Sequence, residues 1–269
     1  MQNMLKVLEQ AALAAGQAIL DVYSAGPSVT LKDDASPVTE ADERAEAIIL
    51  ARLAEAFPDI PVIAEESVAA GRIPDTDGKP FFLVDPLDGT KEFINRRDDF
   101  TVNIALIRDG VPVAGVVYAP AQGVAYSADN GRAEKLVVDS NFEIAERHEI
   151  HCRAGREALT AVASRSHITP ETEEFLVEND IDDCKTVGSS LKFCLVAEGL
   201  ADVYPRFGRT MEWDTAAGDA VLRAAGGRVE MTDGQPFTYG KKNQFDDCDF
   251  ANPGFIAWGR CASKSKPAG

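Results

Sequence analysis

Apolar positions in the first sixty residues follow a helical period. Leu5, Leu8, Ala12, Ala15, Ile19 and Val22 recur at steps of three and four, which predicts one helix with a single buried stripe, stopped by Gly26 and Pro27. A second helix is predicted from about Glu40 to Phe57, with Ala41, Ala45, Ile48, Ile49 and Leu53 inward, Thr39 as its N-cap and Pro58 beyond its end. From Ile60 the pattern changes to short apolar or alternating runs. IPVIAEE, FFLVD, TVNIALI, VAGVVYA and GVAYSA, separated by Gly, Pro, Asp and Asn, predict strands joined largely as hairpins. A mostly antiparallel sheet should therefore lie against the two helices. After about Ile150 strands and helices alternate: strands at LTAVAS, ADVYP and GRVEM, and helices from Pro170, across SSLKFCLVAEG and across DTAAGDAVLRAAGG. That alternation predicts an α/β second half, so the fold class is mixed α/β (α+β). The expected organisation is two subdomains, residues 1–155 and 156–262, with a cleft between them and a loose tail at 263–269.

Composition narrows the function. The 269 residues carry 44 Asp and Glu against 27 Lys and Arg, a formal net charge of −17. An acid surplus of that size opposes attachment to nucleic acid or anionic membrane, both of which require clustered Lys and Arg. With 45% apolar and 26% charged residues the chain is an ordinary globular one. No apolar run approaches the roughly 20 residues of a membrane span, and MQNMLKVLEQAALAAG is amphipathic, unlike a signal peptide. A soluble, unprocessed, cytoplasmic protein is expected. Five cysteines without a CxxC pair suggest reduced thiols, and His148, His151 and Cys152 offer too few thiolates for a zinc site.

The chemistry concentrates in carboxylates. In FFLVDPLDGTKEF an apolar strand ends at Asp85, Pro86 interrupts the ladder, Asp88 follows, and Gly89-Thr90 completes a turn. Two carboxylates so placed can face one point, where repulsion favours either a raised pKa or a bound cation. They can equally cap the turn. A second acidic pair, Glu65 and Glu66, ends the strand IPVIAEES, and Asp214 of WDTAAGDA precedes a helix it can cap. These donors are all oxygens, a set that selects hard cations, with Mg²⁺ leading.

The segments Glu-Glu-Ser, Asp-Pro-Leu-Asp-Gly-Thr and Trp-Asp-Thr-Ala-Ala-Gly, in this order and spacing, resemble the inositol monophosphatase superfamily of Mg²⁺-dependent, lithium-sensitive phosphatases. The resemblance runs from Thr39-Glu40-Ala41-Asp42 to Asn252-Pro253-Gly254-Phe255. Within the superfamily, DPLDGTKEF, ASRSH, GSSLKF and AEGLADVYPRFG look most like the bacterial CysQ type of 3'(2'),5'-bisphosphate nucleotidase, which removes the 3'-phosphate of adenosine 3',5'-bisphosphate to give AMP. The resemblance implies a layered α-β-α-β-α sandwich. It also implies a first Mg²⁺ held by Glu65, Asp85 and the Leu87 carbonyl, a second held by Asp85, Asp88 and Asp214, and a weakly held third near Glu65. Thr90, backed by Asp42, would orient or deprotonate a water acidified by the cations. The amides of Asp88, Gly89 and Thr90 would receive phosphate oxygens. His167 and Ser164 would lie near the adenosine, Gly188 and Lys192 would contact the nucleotide and its second phosphate, and Arg206 would assist.

Each of these residues also has a plainer reading. Asp42 can be a solvated first-turn helix acid, Lys192 a solvated helix lysine, His167 a loop residue, and Glu66 a surface acid. Inositol monophosphatase or broader sugar-phosphate phosphatase activity shares the same metal motifs, and a nucleotide-binding regulatory protein could keep the fold without the chemistry. The sequence leaves open the oligomeric state, monomer or homodimer, and any peripheral association with a membrane.

Overall fold

The structure, a computed structural model, describes residues 2–26, 29–31, 37–154, 158–164 and 168–260. The chain opens with α1 (Gln2–Ala25), an antiparallel pair β1 (Val29–Leu31) and β2 (Pro37–Thr39), and α2 (Glu40–Ala56). It continues through β3 (Val62–Ala64), α3 (Glu65–Ala69), β4 (Phe81–Asp88), α4 (Thr90–Ile94), β5 (Thr101–Arg108), β6 (Val111–Ala119), β7 (Val124–Asp129), β8 (Arg132–Val138) and β9 (Ile144–Glu149). The remainder is β10 (Thr160–Ser164), α5 (Pro170–Glu178), β11 (Asp183–Val187), α6 (Leu191–Ala197), β12 (Val203–Arg206), β13 (Thr210–Met211), α7 (Glu212–Ala224), β14 (Arg228–Met231), β15 (Ala251–Asn252) and β16 (Phe255–Trp258).

Strands β3 to β9 form a seven-stranded sheet in chain order, antiparallel except for the parallel pair β3 and β4. A five-stranded sheet runs β11-β10-β12-β16-β14, with β10 parallel to both β11 and β12. Side-chain alternation sorts the strands into layers. On β4, Phe82 and Val84 pack with Leu8, Ile19, Ile49 and Leu53 of α1 and α2. Phe81 and Leu83 point the other way, into a core with Phe193, Ala216, Ala217 and Val221 of α6 and α7. The second sheet closes that middle core with Val162, Tyr204 and Phe255, and its outer face carries Ala161, Val203 and Trp258 against Phe175 of α5. The result is the expected α-β-α-β-α sandwich, its middle core built from both halves of the chain. Among the described residues no helix is long and apolar enough to cross a membrane.

Both predicted N-terminal helices form, with Gly26 left-handed at the end of α1 and Thr39 accepting from Ala41 N to cap α2. The strand expected across IPVIAEE is shorter: Glu65 begins α3 instead. The FFLVD strand is longer, running through Pro86 to Asp88. Strands β1, β2, β8, β9, β11, β13, β15 and β16 add to those predicted; β9 is solvated along most of its length, so it carries no alternating signal.

Candidate active site

The bulge in β4 sets the first two carboxylates. Asp85 pairs with Asn103 and Asp88 with Thr101, so three steps on β4 oppose two on β5. Pro86 lies in the irregular stretch, where the missing N–H costs no ladder bond. Asp85 Oδ1 accepts the Leu87 amide at 3.0 Å, and Asp85 is buried beneath the cleft wall formed in part by Asp88. Gly89 follows at φ +94° as N-cap of α4, and a Cβ there would stand 3.3 Å from Phe100 Cα.

Because β3 runs parallel to β4, the two strands end at the same edge, and Glu65 starts α3 there. Glu46 of α2 secures that short helix, accepting Glu66 N at 2.8 Å and Ser67 Oγ at 2.7 Å. Asp214 is not an N-cap: it stands in the first turn of α7, its Oδ2 accepting the Met211 amide at 2.8 Å. Burial raises the Asp85 carboxyl well above its ordinary value, and the charges of Glu65, Asp88 and Asp214 raise it further. Asp214 is pushed up to about 8 by burial and then by Asp88 and Glu65. Burial also raises Asp88, opposed by Lys192 and by hydrogen bonds from Ser190 and Asn103. Four carboxylates from three segments, α3, β4 and α7, thus share one field.

Among the described residues no three His, Cys, Asp or Glu side chains are already gathered as a closed ligand cage. The donor set nevertheless fits a hard divalent cation, since it offers carboxylate oxygens and the Leu87 carbonyl, and a cation offsets the burial and mutual repulsion that raise Asp85 and Asp214.

Asp42 is buried, contrary to the solvated reading. Its Oδ2 accepts from both Thr39 N and Thr39 Oγ at 2.8 Å, and its Oδ1 faces Thr90 Oγ at 3.2 Å. Thr90 Oγ also lies 3.2 Å from Leu87 O.

The second half supplies the opposite wall of a cleft of ≈ 310 Å³. Ser164 ends β10 and Gly188 follows β11, so both lie at carboxyl ends of parallel strands, a common place for ligands. The Gly188 amide donates to Asp99 Oδ2 at 2.7 Å, and a Cβ there would meet Asp99 O at 2.7 Å. Lys192 is buried, contrary to the solvated reading, and burial lowers it to about 8 against the opposing pull of Asp88. Arg206, Lys192 and Asp214 all line the cleft; His167 lies outside the described residues.

Ser190 is a site residue that sequence reasoning passed over. Its amide and hydroxyl donate to Asp88 Oδ2 at 2.6 and 3.0 Å, and its Oγ is 2.5 Å from the Asp214 carbonyl. Asn103 Nδ2 donates to Ser190 Oγ at 3.0 Å. These partners are 15 to 102 residues apart, so no local motif announces them. Arg209 on the cleft rim was likewise unmarked.

Comparisons with known proteins agree with this architecture. The model of the inositol monophosphatase family matches residues 1–247. The 3'(2'),5'-bisphosphate nucleotidase CysQ of Escherichia coli K12 is 46% identical over 254 residues, covering 94% of this chain and 98% of that protein. The CysQ of Buchnera aphidicola is 41% identical over 95% of this chain and 94% of its own. Among solved structures, CysQ from Bacteroides thetaiotaomicron superposes with a TM-score of 0.79 at 38% identity, covering 97% of this chain and 98% of that one. The chain belongs to the inositol monophosphatase family.

Proposed function

We propose that this chain is a 3'(2'),5'-bisphosphate nucleotidase that hydrolyses the 3'-phosphate of adenosine 3',5'-bisphosphate, releasing AMP and phosphate. The observation that carries the reading is one cleft with two unlike sets of groups: the carboxylates of Glu65, Asp88 and Asp214, with Asp85 buried beneath them, and the buried cation of Lys192, with Arg206. A substrate with two phosphates has use for both. In this reading residues 1–155 supply most metal ligands and residues 156–262 supply the nucleotide contacts and Asp214.

Glu65, Asp85 and the Leu87 carbonyl would hold one Mg²⁺, and Asp85, Asp88 and Asp214 a second. When bound, the ions offset the phosphate charge and acidify the attacking water. The remaining work falls to the chain. Thr90 Oγ donates to Asp42 Oδ1, which leaves its lone pairs to accept a hydrogen from that water. As the water's oxygen bonds to phosphorus, its proton passes to Thr90 Oγ and the Thr90 proton to Asp42 Oδ1. Thr39 holds the other Asp42 oxygen, so the acceptor stays aimed at Thr90. The bond from phosphorus to the ribose 3'-oxygen breaks, and that oxygen takes a proton from solvent. Amides at Asp88, Gly89 and Thr90 receive phosphate oxygens; Ser164, Gly188 and Lys192 flank the nucleotide, and His167 is assigned beside the adenosine.

The test is phosphate release from adenosine 3',5'-bisphosphate, its 5'-phosphosulfate relative, 2',5' isomers and inositol 1-phosphate, with Mg²⁺ varied and Li⁺ added. The expected result is a much higher kcat/KM for the bisphosphate than for inositol 1-phosphate, dependence on Mg²⁺ and inhibition by Li⁺. Equal or reversed kcat/KM values overturn the substrate assignment.

A further inference from the structure

Three basic side chains of the cleft wall differ in what holds them. Lys192 is buried, donates to the carbonyls of Ser189 and Val187, and stands 5.3 Å from the centre of the Tyr204 ring. Arg206 is also buried and donates to the carbonyls of Gly208 at 3.1 Å and Arg209 at 3.2 Å. Neither can swing toward a ligand without leaving backbone oxygens unpaired. Arg209 is the contrasting case. Its side chain is 55% exposed on the rim, and its partners are side chains of a distant loop. Nε lies 3.1 and 3.0 Å from the two Asp247 carboxylate oxygens, Nη2 lies 3.0 Å from Asp247 Oδ1, and Nη2 also meets Cys248 Sγ at 2.8 Å.

We propose that Arg209 is a specificity-determining residue that leaves Asp247 to bind the second, non-scissile phosphate of a nucleotide bisphosphate. The inference rests on the nucleotidase reading above. The base of the side chain is fixed, because Arg206 holds the Arg209 carbonyl and β13, which follows directly, pairs with β15 before running into α7 and Asp214. Only the guanidinium needs to move. What it leaves is a solvent-screened ion pair, a class of contact that contributes little to the fold. What it gains is a phosphate that accepts its planar fork in two charge-assisted bonds. Lys192 and Arg206 therefore provide a fixed positive field, and Arg209 adds a contact available only to substrates carrying a second anionic group. A polyol monophosphate offers it nothing, so the residue separates nucleotide bisphosphates from inositol-type substrates.

The experiment is steady-state kinetics of the full chain with saturating Mg²⁺ on adenosine 3',5'-bisphosphate and on adenosine 3'-monophosphate, which shares the scissile group but lacks the second phosphate. Arg209→Ala is expected to raise KM for the bisphosphate by about tenfold or more, the scale of one lost charged hydrogen-bond contact, and to lower the preference for bisphosphate over monophosphate by a similar factor. Asp247→Asn, which breaks the same ion pair from the other side, is expected to lower KM for the bisphosphate. If Arg209 instead only pins the loop, both variants shift KM in the same direction and equally for both substrates, and the proposal falls. Wild-type protein that ignores the bisphosphate overturns the nucleotidase reading itself. Wild-type protein that hydrolyses it, with Arg209→Ala leaving the preference unaltered, overturns only the role of Arg209.

Discussion

The acidic and basic walls of the cleft both lose water to the fold, Asp85, Lys192 and Arg206 being buried and Glu65, Asp88 and Asp214 half-buried, and that loss acts on the two walls with opposite sign. On the acidic wall it raises Asp85, Asp88 and Asp214, because each carboxylate loses water, and at Asp85 and Asp214 neighbouring carboxylates add to the rise. On the basic wall it lowers Lys192, for which the ammonium is the form that loses hydration. Asp214 and Lys192 thus arrive at about 8 from opposite directions. The two walls differ most in how the protein compensates. Lys192 has Asp88, two carbonyls and an aromatic face. Asp88 has Lys192, Ser190 and Asn103, but Asp85 and Asp214 have mainly neighbouring carboxylates and one amide donor each, so their field is left for a cation. An acidic wall that can be neutralised by metal and a basic wall already compensated by protein is a division suited to a ligand whose two ends have different fates.

The most severe way to break this comparison is Asp88→Asn. It removes one charge from the acidic wall while keeping an oxygen for Ser190, and kcat is expected to fall by at least about a hundredfold, beyond the usual loss for a metal's supporting residues, with circular dichroism unchanged. Wild-type turnover would show that this wall does not serve the chemistry. A smaller effect is expected on the other wall. Lys192→Met should cost about tenfold or more in kcat/KM for adenosine 3',5'-bisphosphate relative to inositol 1-phosphate, as expected for loss of a charged contact; an equal loss for both substrates would dissolve the distinction between the walls. The mildest test is thermal. An acid with a raised pKa stabilises the fold fully below its ordinary value and loses that contribution as pH rises toward the folded value, here about 8 for Asp214. Lys192 has the reverse slope, since its lowered pKa gives relief only as pH rises above about 8. Metal-free protein should therefore lose at least about 2–4 °C in Tm between pH 5.5 and 8, the shift expected for ~1 kcal/mol in a chain of this size. Mg²⁺ should restore more at pH 8 than at pH 5.5, and Asp214→Asn should flatten the profile. A Tm that climbs steadily over that interval would mean the carboxylates do not strain one another.

How far the sequence could be read follows from where each residue finds its partners. Helices α1 and α2 were legible because their stripes and caps are local: Thr39 and Asp42 close their box within four residues. The carboxylates at 65, 85 and 88 were legible because strand ends write themselves as apolar runs cut by acid, and Asp214 because it begins a small-residue helix. Burial of Asp42 and Lys192 was not, since each is covered by segments remote in the chain. Strand β9 was hidden because a solvated edge strand has no apolar face to display. Ser190 and Arg209 escaped notice for a related reason: their bonds to Asp88 and Asp247 exist only after the chain has folded back on itself.

The shared middle core has a consequence for biosynthesis. The seven-stranded sheet is complete in sequence by residue 149, yet one of its faces is covered by α7, which begins only at residue 212. At about 5–20 residues per second, translation leaves that apolar face waiting for several seconds. The nascent chain thus passes through an interval in which that face is adhesive, and Asp214, the last of the four carboxylates, arrives on the same helix that ends it.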